Sequence, residues 1–177
     1  MLGGVYVEVY PIALFKDGRA LSDTTGLLYA EGLEAHRAKF PGAWTQWRRS
    51  GTDLQVLQPN GSWKTADSGA APLAGHHVRR AGVYEALSVA SSPSMSIVAS
   101  TLCTFTNAGA FGRGRYAVGD TANVGAISTT PDKRGTYAID GYRLTLSFEN
   151  GSREEHVIVL DPRPEYLYID GTMYSSK

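Results

Sequence analysis

The sequence has a single cysteine, no long apolar run and no net charge. Cys103 alone cannot form an internal disulfide or a cysteine-ligated zinc or iron–sulfur centre. No stretch of about 18 apolar residues is present, so we predict no membrane span. Seventeen Lys and Arg balance seventeen Asp and Glu, whereas domains that bind nucleic acid through bulk charge are usually strongly basic. We therefore expect no nucleic-acid partner.

The first residues bear on localisation. The segment Met1-Leu2-Gly3-Gly4 has no basic flank, and Glu8 interrupts the apolar residues that follow, so the start does not resemble a signal peptide. Two interpretations stay open: a cytoplasmic protein, which the sequence favours, or a secreted protein from which a signal peptide was removed.

Glycine, tyrosine and alternating apolar residues are what the chain has in quantity. Its 177 residues suffice for one domain, and its 20 glycines and 10 tyrosines favour strands joined by tight turns. Asp-Gly and Asn-Gly pairs supply the positive φ values that hairpins need. Period-two alternation predicts strands at these ranges: 5–15, 44–49, 54–58, 63–65, 78–89, 96–105, 111–118, 137–139, 142–148, 155–160 and 166–169.

One segment has the helical pattern, and one has the composition of a linker. Apolar residues recur on a single stripe between residues 28 and 40, and Pro41-Gly42 follows, so we predict a helix there. Residues 66–75 are rich in Gly, Ala, Ser and Pro, and we interpret them as a linker between half-units of about 1–68 and 78–177 within a single domain. Residues 119–134 are predicted to be a polar connection.

The two half-units share a pattern at an offset of ninety residues. Residues 47–56 align without a gap with residues 137–146, and Asn60-Gly61-Ser62 aligns with Asn150-Gly151-Ser152. The match suggests a duplication, although an aromatic residue followed by glycine turns also arises in unrelated hairpins. In either case each half-unit would supply about four strands.

The number of strands and their order predict the architecture. Eight to ten antiparallel strands in meander order favour a closed barrel, because closure removes the exposed edges of an open sheet. We therefore predict an all-β antiparallel meander barrel of about eight to ten strands with one short helix, built from two related halves if the duplication is real. A barrel of about eight strands is either filled by side chains or holds one small ligand.

Residues 134–146, followed by Asn150-Gly151, resemble strands of bacterial lipocalin-like (calycin-type) β-barrel proteins. The shared pattern has Gly135 and Tyr137 before Gly141, and it continues to Leu146. The resemblance covers about 25 residues and recurs around Trp47. The early Gly-x-Trp motif of lipocalins is not near the first strand, since Gly42-Ala43-Trp44 follows the predicted helix. The resemblance implies binding of a small apolar or amphipathic molecule inside the barrel.

We accordingly predict non-enzymatic binding of such a molecule, without a cofactor, metal or catalytic residue. His156 alternates with Ile158 and Leu160 and therefore faces the same side as they do. Glu154 and Glu155 are interpreted as a solvated face, and Cys103 as a buried thiol. The cavity that holds the ligand would be lined by Trp47, Tyr137, Leu144, Leu146 and Phe148. His156 or Arg115 would bind the polar end of the ligand.

Two alternatives stay open. A barrel filled by its own side chains would act through its surface, as a protein-interaction or accessory subunit or as a homodimer. A cofactor-free enzyme, such as a cyclase or isomerase, would need an ionisable pair in the interior, for which His156 is the candidate. The sequence contains no Gly-x-Ser-x-Gly, P-loop or His-Glu-x-x-His motif.

Overall fold

The computed structural model describes residues 10–66, 74–92, 95–121 and 124–177. These residues are mostly antiparallel strands with one α-helix, which confirms the predicted fold class. The chain divides into two compact units, Met1–Pro72 and Leu73–Lys177. The division falls in the small-residue segment 66–75, of which residues 67–73 lie outside the described residues, as do residues 5–9 of the first predicted strand. The prediction that both units form a single domain stays a prediction.

The first unit is a five-stranded antiparallel sheet in chain order. A 3-10 helix (Thr24–Leu28), helix α1 (Leu33–Lys39) and a short 3-10 turn (Pro41–Ala43) connect its second and third strands. α1 is shorter than predicted because Gly32, at φ 88°, precedes it with a backbone outside the helical range. The strands are β1 (Ala13–Leu14), β2 (Arg19–Leu21), β3 (Trp44–Ser50), β4 (Asp53–Leu57) and β5 (Trp63–Thr65).

The second unit is a closed antiparallel barrel of eight strands, which confirms the predicted meander barrel. Each strand pairs with the next along the chain, and the last returns to pair with the first at Tyr84 and Glu85. All eight come from the second unit, so the expectation that each half-unit supplies about four strands of the barrel is wrong: among the described strands, β1–β5 pair only with one another, and the eight strands of the second unit close the ring alone. A short strand, β6 (His76–Val78), pairs with the end of the fourth barrel strand. The barrel strands are β7 (Gly82–Ser92), β8 (Met95–Phe105), β9 (Ala110–Thr121), β10 (Val124–Asp140), β11 (Arg143–Phe148), β12 (Arg153–Leu160), β13 (Tyr166–Ile169) and β14 (Thr172–Ser176).

Strands β7 to β10 continue past the closed ring as a four-stranded extension. β11 pairs with β10 from Gly135 onwards, whereas the β7–β8 and β9–β10 hairpins stay paired far beyond that level. Residues 119–134, predicted as a polar connection, are therefore strand wherever the structure describes them. Pro131 is tolerated at a register shift between Thr130 and Lys133, where a ladder hydrogen bond is not required. We define the extension as residues 87–92, 95–100, 115–121 and 124–130.

Large side chains fill the barrel interior. Phe105 meets Tyr137 edge-on at 5.0 Å between ring centroids, and Phe111 meets Phe148 at 5.2 Å. Burial of each large apolar side chain contributes about 1.5–3 kcal/mol, so this cluster is a major source of the barrel's stability. Cys103 is buried within it, as predicted. The cluster comprises Tyr84, Ala86, Cys103, Phe105, Phe111, Tyr137, Ile139, Leu144, Leu146, Phe148, Ile158, Leu167 and Tyr174.

The two units share strand register at the offset seen in the sequence. Trp47 pairs with Val56 as Tyr137 pairs with Leu146. In the next turn, the side-chain oxygen of Asn60 accepts hydrogen bonds from the backbone N–H of Ser62 at 3.0 Å and from its hydroxyl at 2.7 Å. The oxygen of Asn150 accepts the same two bonds from Ser152 at the same distances.

The correspondence continues into the preceding hairpin, where the offset is ninety-one residues. The backbone N–H of Trp47 donates to the Gly18 carbonyl and that of Tyr137 to the Gly109 carbonyl, both at 2.8 Å. The side chains match as well: Trp47 Nε1 donates to the Phe15 carbonyl at 2.7 Å, and the Tyr137 hydroxyl donates to the equivalent carbonyl, of Thr106, at 2.9 Å. Strands β1–β5 thus have the turns and registers of β8–β12.

Candidate functional site

Strand register shows which polar side chains face the barrel interior. Directly paired residues of antiparallel strands lie on the same face of a sheet. The buried residues Leu144 and Leu146 pair with His156 and Glu154. On the far side of the ring, Arg113 pairs with the buried Cys103. His156, Glu154 and Arg113 therefore all lie on the interior face.

These three side chains form a hydrogen-bonded chain with Asp170. His156 Nε2 lies 3.1 Å from a carboxylate oxygen of Glu154, and His156 Nδ1 lies 2.6 Å from Asp170 Oδ2. Arg113 donates through Nη2 to both oxygens of Glu154, at 2.9 and 3.1 Å. The exposed fraction runs from 19% for the His156 side chain to 39% for that of Asp170. This group, the mouth cluster (Arg113, Glu154, His156 and Asp170), thus lies where the interior opens to solvent beside the extension.

The tight turn between β13 and β14 positions Asp170. Asp170 and Gly171 both have positive φ, 49° and 79°, as two-residue hairpin turns require. Asp170 Oδ1 accepts the backbone N–H of Val157 at 2.9 Å, which fixes the carboxylate against β12. The second oxygen is thereby directed at His156 Nδ1. Asp170 therefore orients the imidazole of His156, although the sequence identifies it only as a turn residue.

The hydrogen-bond partners of His156, Asp170 and Glu154 favour the charged form of each of these three groups. The hydrogen bond to Asp170 raises the pKa of His156, and Glu154 raises it further against the effect of burial. Although desolvation opposes it, His156 and the Val157 N–H lower the pKa of Asp170. Desolvation likewise opposes the lowered pKa of Glu154, which hydrogen bonds from His156 and Arg113 produce. The cluster thus stabilises an imidazolium between two carboxylates.

Two further titratable groups, Cys103 and Tyr174, border the cluster within the barrel. Burial raises the pKa of the Cys103 thiol to about 11 and that of the Tyr174 hydroxyl to about 12. Both groups are therefore neutral near neutral pH. Because the thiolate is the nucleophilic form of cysteine, Cys103 is an inert buried thiol.

Two more cations share the face of the mouth cluster. Lys133 pairs with Arg113, and its Nζ lies 3.6 Å from Glu154 Oε1. Arg115, two residues beyond Arg113 on the same strand face, is exposed. Arg113 and Lys133 both approach the ring of Phe148, at 5.6 and 5.3 Å from its centroid, within the range of cation–π contacts.

The opposite end of the barrel is closed by Arg80. Its Nε donates to the Tyr84 hydroxyl at 2.9 Å, and its Nη2 donates to the carbonyls of Arg163 and Tyr166 at 3.3 Å. A groove of about 280 Å³ lies beside Arg80 at this end of the barrel. A second groove, of about 400 Å³, crosses β8–β10; its floor residue Gly112 faces outward, opposite to its neighbour Arg113. The first groove thus lies away from the mouth cluster, whereas the second shares Arg113 with it.

The residues predicted to line a ligand fall into three places. Tyr137, Leu144, Leu146 and Phe148 lie together in the filled core, whereas Trp47 belongs to the sheet of the first unit. His156 and Arg115 lie on the interior face at the mouth. The structure thus brings the two predicted polar residues to one face, directly beside the predicted apolar ones.

Three residues of the mouth cluster were not among the predicted site residues. Glu154 is not part of a solvated face, so that interpretation is wrong for it: its neighbour Glu155 points outward to Arg143 and Arg153, whereas Glu154 binds Arg113 and His156. The period of two in β12, which places Glu154 on the face of His156, is the signal that could have found it. Asp170 lies next to β12 across a single hairpin, and its Asp-Gly pair signals only the turn. Arg113 belongs to β9, and the sequence holds no local signal for its contact with Glu154.

No known protein family, curated protein or solved structure matches this chain. The lipocalin-like resemblance therefore stays a prediction. Among the residues that the structure describes, no helix is long and apolar enough to cross a membrane. The same residues include no group of three or more His, Cys, Asp or Glu side chains arranged to hold a metal ion.

Proposed function

We propose that the second unit binds a small amphipathic molecule at the mouth of its barrel, above the filled core. The observation that carries this proposal is the mouth cluster, four hydrogen-bonded ionisable side chains beside the largely apolar core of the barrel. Partial burial of ion pairs costs desolvation free energy that apolar side chains of similar size would avoid. Ionisable groups gathered in this way are instead typical of binding and catalytic sites.

The side chains around the mouth suit such a ligand. On β7 and β8, Ser88 pairs with Ala99 and Ala86 with Thr101, so small side chains lie on that part of the face. On the neighbouring strand β9, the long cationic side chains of Arg113 and Arg115 lie on the same face. Small residues leave room for the apolar part of the ligand, while the cluster contacts its polar end.

The proposal can be tested with ligands that share one apolar chain. Calorimetric titration with octan-1-ol, octanoate and octylamine compares three headgroups, and native mass spectrometry of the purified protein reports any retained molecule. We expect at least one of the three to bind, and Ser88→Trp, which fills the mouth, to abolish binding. Leu87→Trp is the matched control, because Leu87 points to the outer face and is 67% exposed. Absence of binding by all three, together with no retained molecule, would refute the proposal.

A second candidate function is protein binding through the outer face of the extension. Leu87 and Val98, 67% and 42% exposed, are diagonal neighbours on the paired strands β7 and β8. Exposed apolar patches on a sheet commonly mark interaction sites. Sedimentation analysis of the wild type and of Leu87→Asp tests it, because self-association that the variant abolishes would favour this function. A cofactor-free enzyme, with His156 as the candidate ionisable residue, stays a prediction.

We also propose that the two units derive from duplication of one five-stranded meander. Three observations favour a duplication over an independent origin of the hairpins. They are the shared strand registers, the matching turns at Asn60 and Asn150, and the equivalent hydrogen bonds of Trp47 and Tyr137. Equivalent substitutions in the two units should then have equivalent effects on stability.

A further inference from the structure

We infer that the ligand of the mouth carries a carboxylate or similar anion, which binds by displacing Glu154 from Arg113 and Lys133. This inference rests on the proposed function and specifies the class of molecule: an amphipathic anion. It follows from the balance of charge at the mouth, from the contacts of Glu154, and from the way the cations are supported.

Cations outnumber carboxylates among the described side chains of this face. Three cations, Arg113, Arg115 and Lys133, face two carboxylates, those of Glu154 and Asp170, and His156 adds a further positive charge when it is protonated. A concave site with low-dielectric walls concentrates the field of such an excess charge and attracts ligands of opposite sign. A cationic headgroup would be repelled, and a neutral one would gain only hydrogen bonds.

Glu154 occupies the position that a ligand carboxylate would take. Its two oxygens are shared among Arg113 at 2.9 Å, His156 at 3.1 Å and Lys133 at 3.6 Å. Among the described residues, Arg113 makes its side-chain hydrogen bonds through Nη2 alone, although a guanidinium offers five N–H donors in a planar fork. An incoming carboxylate can therefore bind Arg113 in a bidentate manner, while Glu154 keeps its bond to His156.

Phe148 keeps the cations in place during this exchange. The Arg113 guanidinium and the Lys133 ammonium lie 5.6 and 5.3 Å from the centroid of its ring. The ring itself is held in the core against Phe111. Because cation–π attraction does not depend on Glu154, both cations stay at the mouth when that carboxylate turns away.

The experiment compares three headgroups on matched variants. Isothermal titration of the wild type with octanoate, octan-1-ol and octylamine should show octanoate binding at least about tenfold more tightly than the other two, as charge-assisted bidentate hydrogen bonds predict. Arg113→Gln should remove that preference, and Lys133→Met, at a more exposed position, should reduce it if Arg113→Gln does not fold. Glu154→Gln should bind octanoate more tightly than the wild type, because it removes the resident competitor.

Glu155→Gln is the control for Glu154→Gln. Glu155 is on the same strand but points outward to Arg143 and Arg153, so its neutralisation should leave octanoate affinity unchanged. Weaker octanoate binding by Glu154→Gln, or equal binding of octanoate and octan-1-ol by the wild type, would overturn the inference while leaving the proposed function intact. Failure of all three ligands to bind, together with no molecule retained in native mass spectrometry, would instead refute the proposed function.

Discussion

The two units build the same five strands into different sheets. Strands β1–β5 of the first unit have the registers and turns of β8–β12 in the second, where β13, β14 and β7 add the strands that complete a ring. In the first unit, β1 and β5 are the ends of the sheet. Local pattern thus specifies strand, turn and register equally in both units, while closure depends on the number of strands available.

A second difference lies at one pair of equivalent positions, Thr45 and Gly135. The Thr45 hydroxyl donates to the carbonyl of Leu57 at 2.7 Å. A Cβ added at Gly135 would lie 2.0 Å from the carbonyl oxygen of Ser147, the equivalent of Leu57. The two barrel strands therefore approach too closely there for any side chain. Glycine at such a point permits the bend that a closing sheet needs.

The largest expected effect comes from filling that close approach. Gly135→Ala should destabilise the second unit by about 3 kcal/mol, because backbone atoms of β11 would have to move. Chemical denaturation, monitored by amide hydrogen exchange, measures this loss in the free energy of unfolding. Gly112→Ala is the control, since an added Cβ there meets nothing within 4 Å and should change stability by less than about 0.5 kcal/mol. If Gly135→Ala is as stable as the wild type, close approach does not explain the glycine.

Removal of the Tyr137 hydroxyl should have the next largest effect. It donates to the Thr106 carbonyl at 2.9 Å and accepts the Arg80 N–H at 3.1 Å, so Tyr137→Phe leaves two backbone groups without these partners. We expect a loss of about 2 kcal/mol in the free energy of unfolding. Tyr142→Phe is the control, because that hydroxyl makes no hydrogen bond with any described residue. Equal effects of the two substitutions would contradict the prediction.

The matching turns allow a direct comparison of the units. Asn60→Ala and Asn150→Ala each remove two hydrogen bonds of the same length, and each should cost about 1 kcal/mol. All three tryptophans lie in the first unit, so their fluorescence follows unfolding there, and amide exchange follows the barrel. If the two substitutions lower the free energy of unfolding by amounts that differ by more than about 0.5 kcal/mol, the same turn geometry does not give the same stabilisation in both units.

The smallest expected effect is a pH dependence confined to the barrel. Since hydrogen bonds to Asp170 and Glu154 raise the folded-state pKa of His156, its contribution to stability is complete below the unfolded value of 6.5 and is lost as pH rises through the folded value. Four other titratable groups near it do not titrate in this window, since the pKa values of Asp170 and Glu154 are lowered and those of Cys103 and Tyr174 are about 11 and 12. The charged side chains of Arg113 and Lys133 share its face.

Barrel stability should therefore fall as pH rises above about 6.5. Denaturation of the wild type and of His156→Gln over this range measures the effect, and the variant should show a flatter profile. A wild-type stability that rises with pH would contradict the assignment of an imidazolium between two carboxylates.

Local signals account for the parts of the fold that could be predicted. Asp140-Gly141 and Asn150-Gly151 predict their turns because glycine tolerates the positive φ that each turn has. Alternation in β11 predicts that Leu144 and Leu146 share a buried face. The helix prediction was too long because the apolar stripe continues through Gly32, whose backbone is not helical.

The candidate site was only partly predictable for a physical reason. His156 could be identified because it alternates with Ile158 in a single strand. Asp170 meets His156 across the single β12–β13 hairpin, but its Asp-Gly pair signals only a turn. Arg113 belongs to β9, and it meets Glu154 only in the assembled ring. Trp47 shares its pattern with Tyr137 but belongs to the other unit.

By itself, the sequence determined the all-β class, the hairpin turns and the repeated register, because each depends on residues adjacent along the chain or across one hairpin. Tertiary structure alone decided which half closes into a barrel, that its interior is filled, and that Arg113 of β9 meets Glu154 of β12 at its mouth. These outcomes depend on the pairing of β14 with β7, between residues about ninety positions apart, and on curvature at Gly135. No local pattern specifies contacts over that distance, because they form only when the whole ring is assembled.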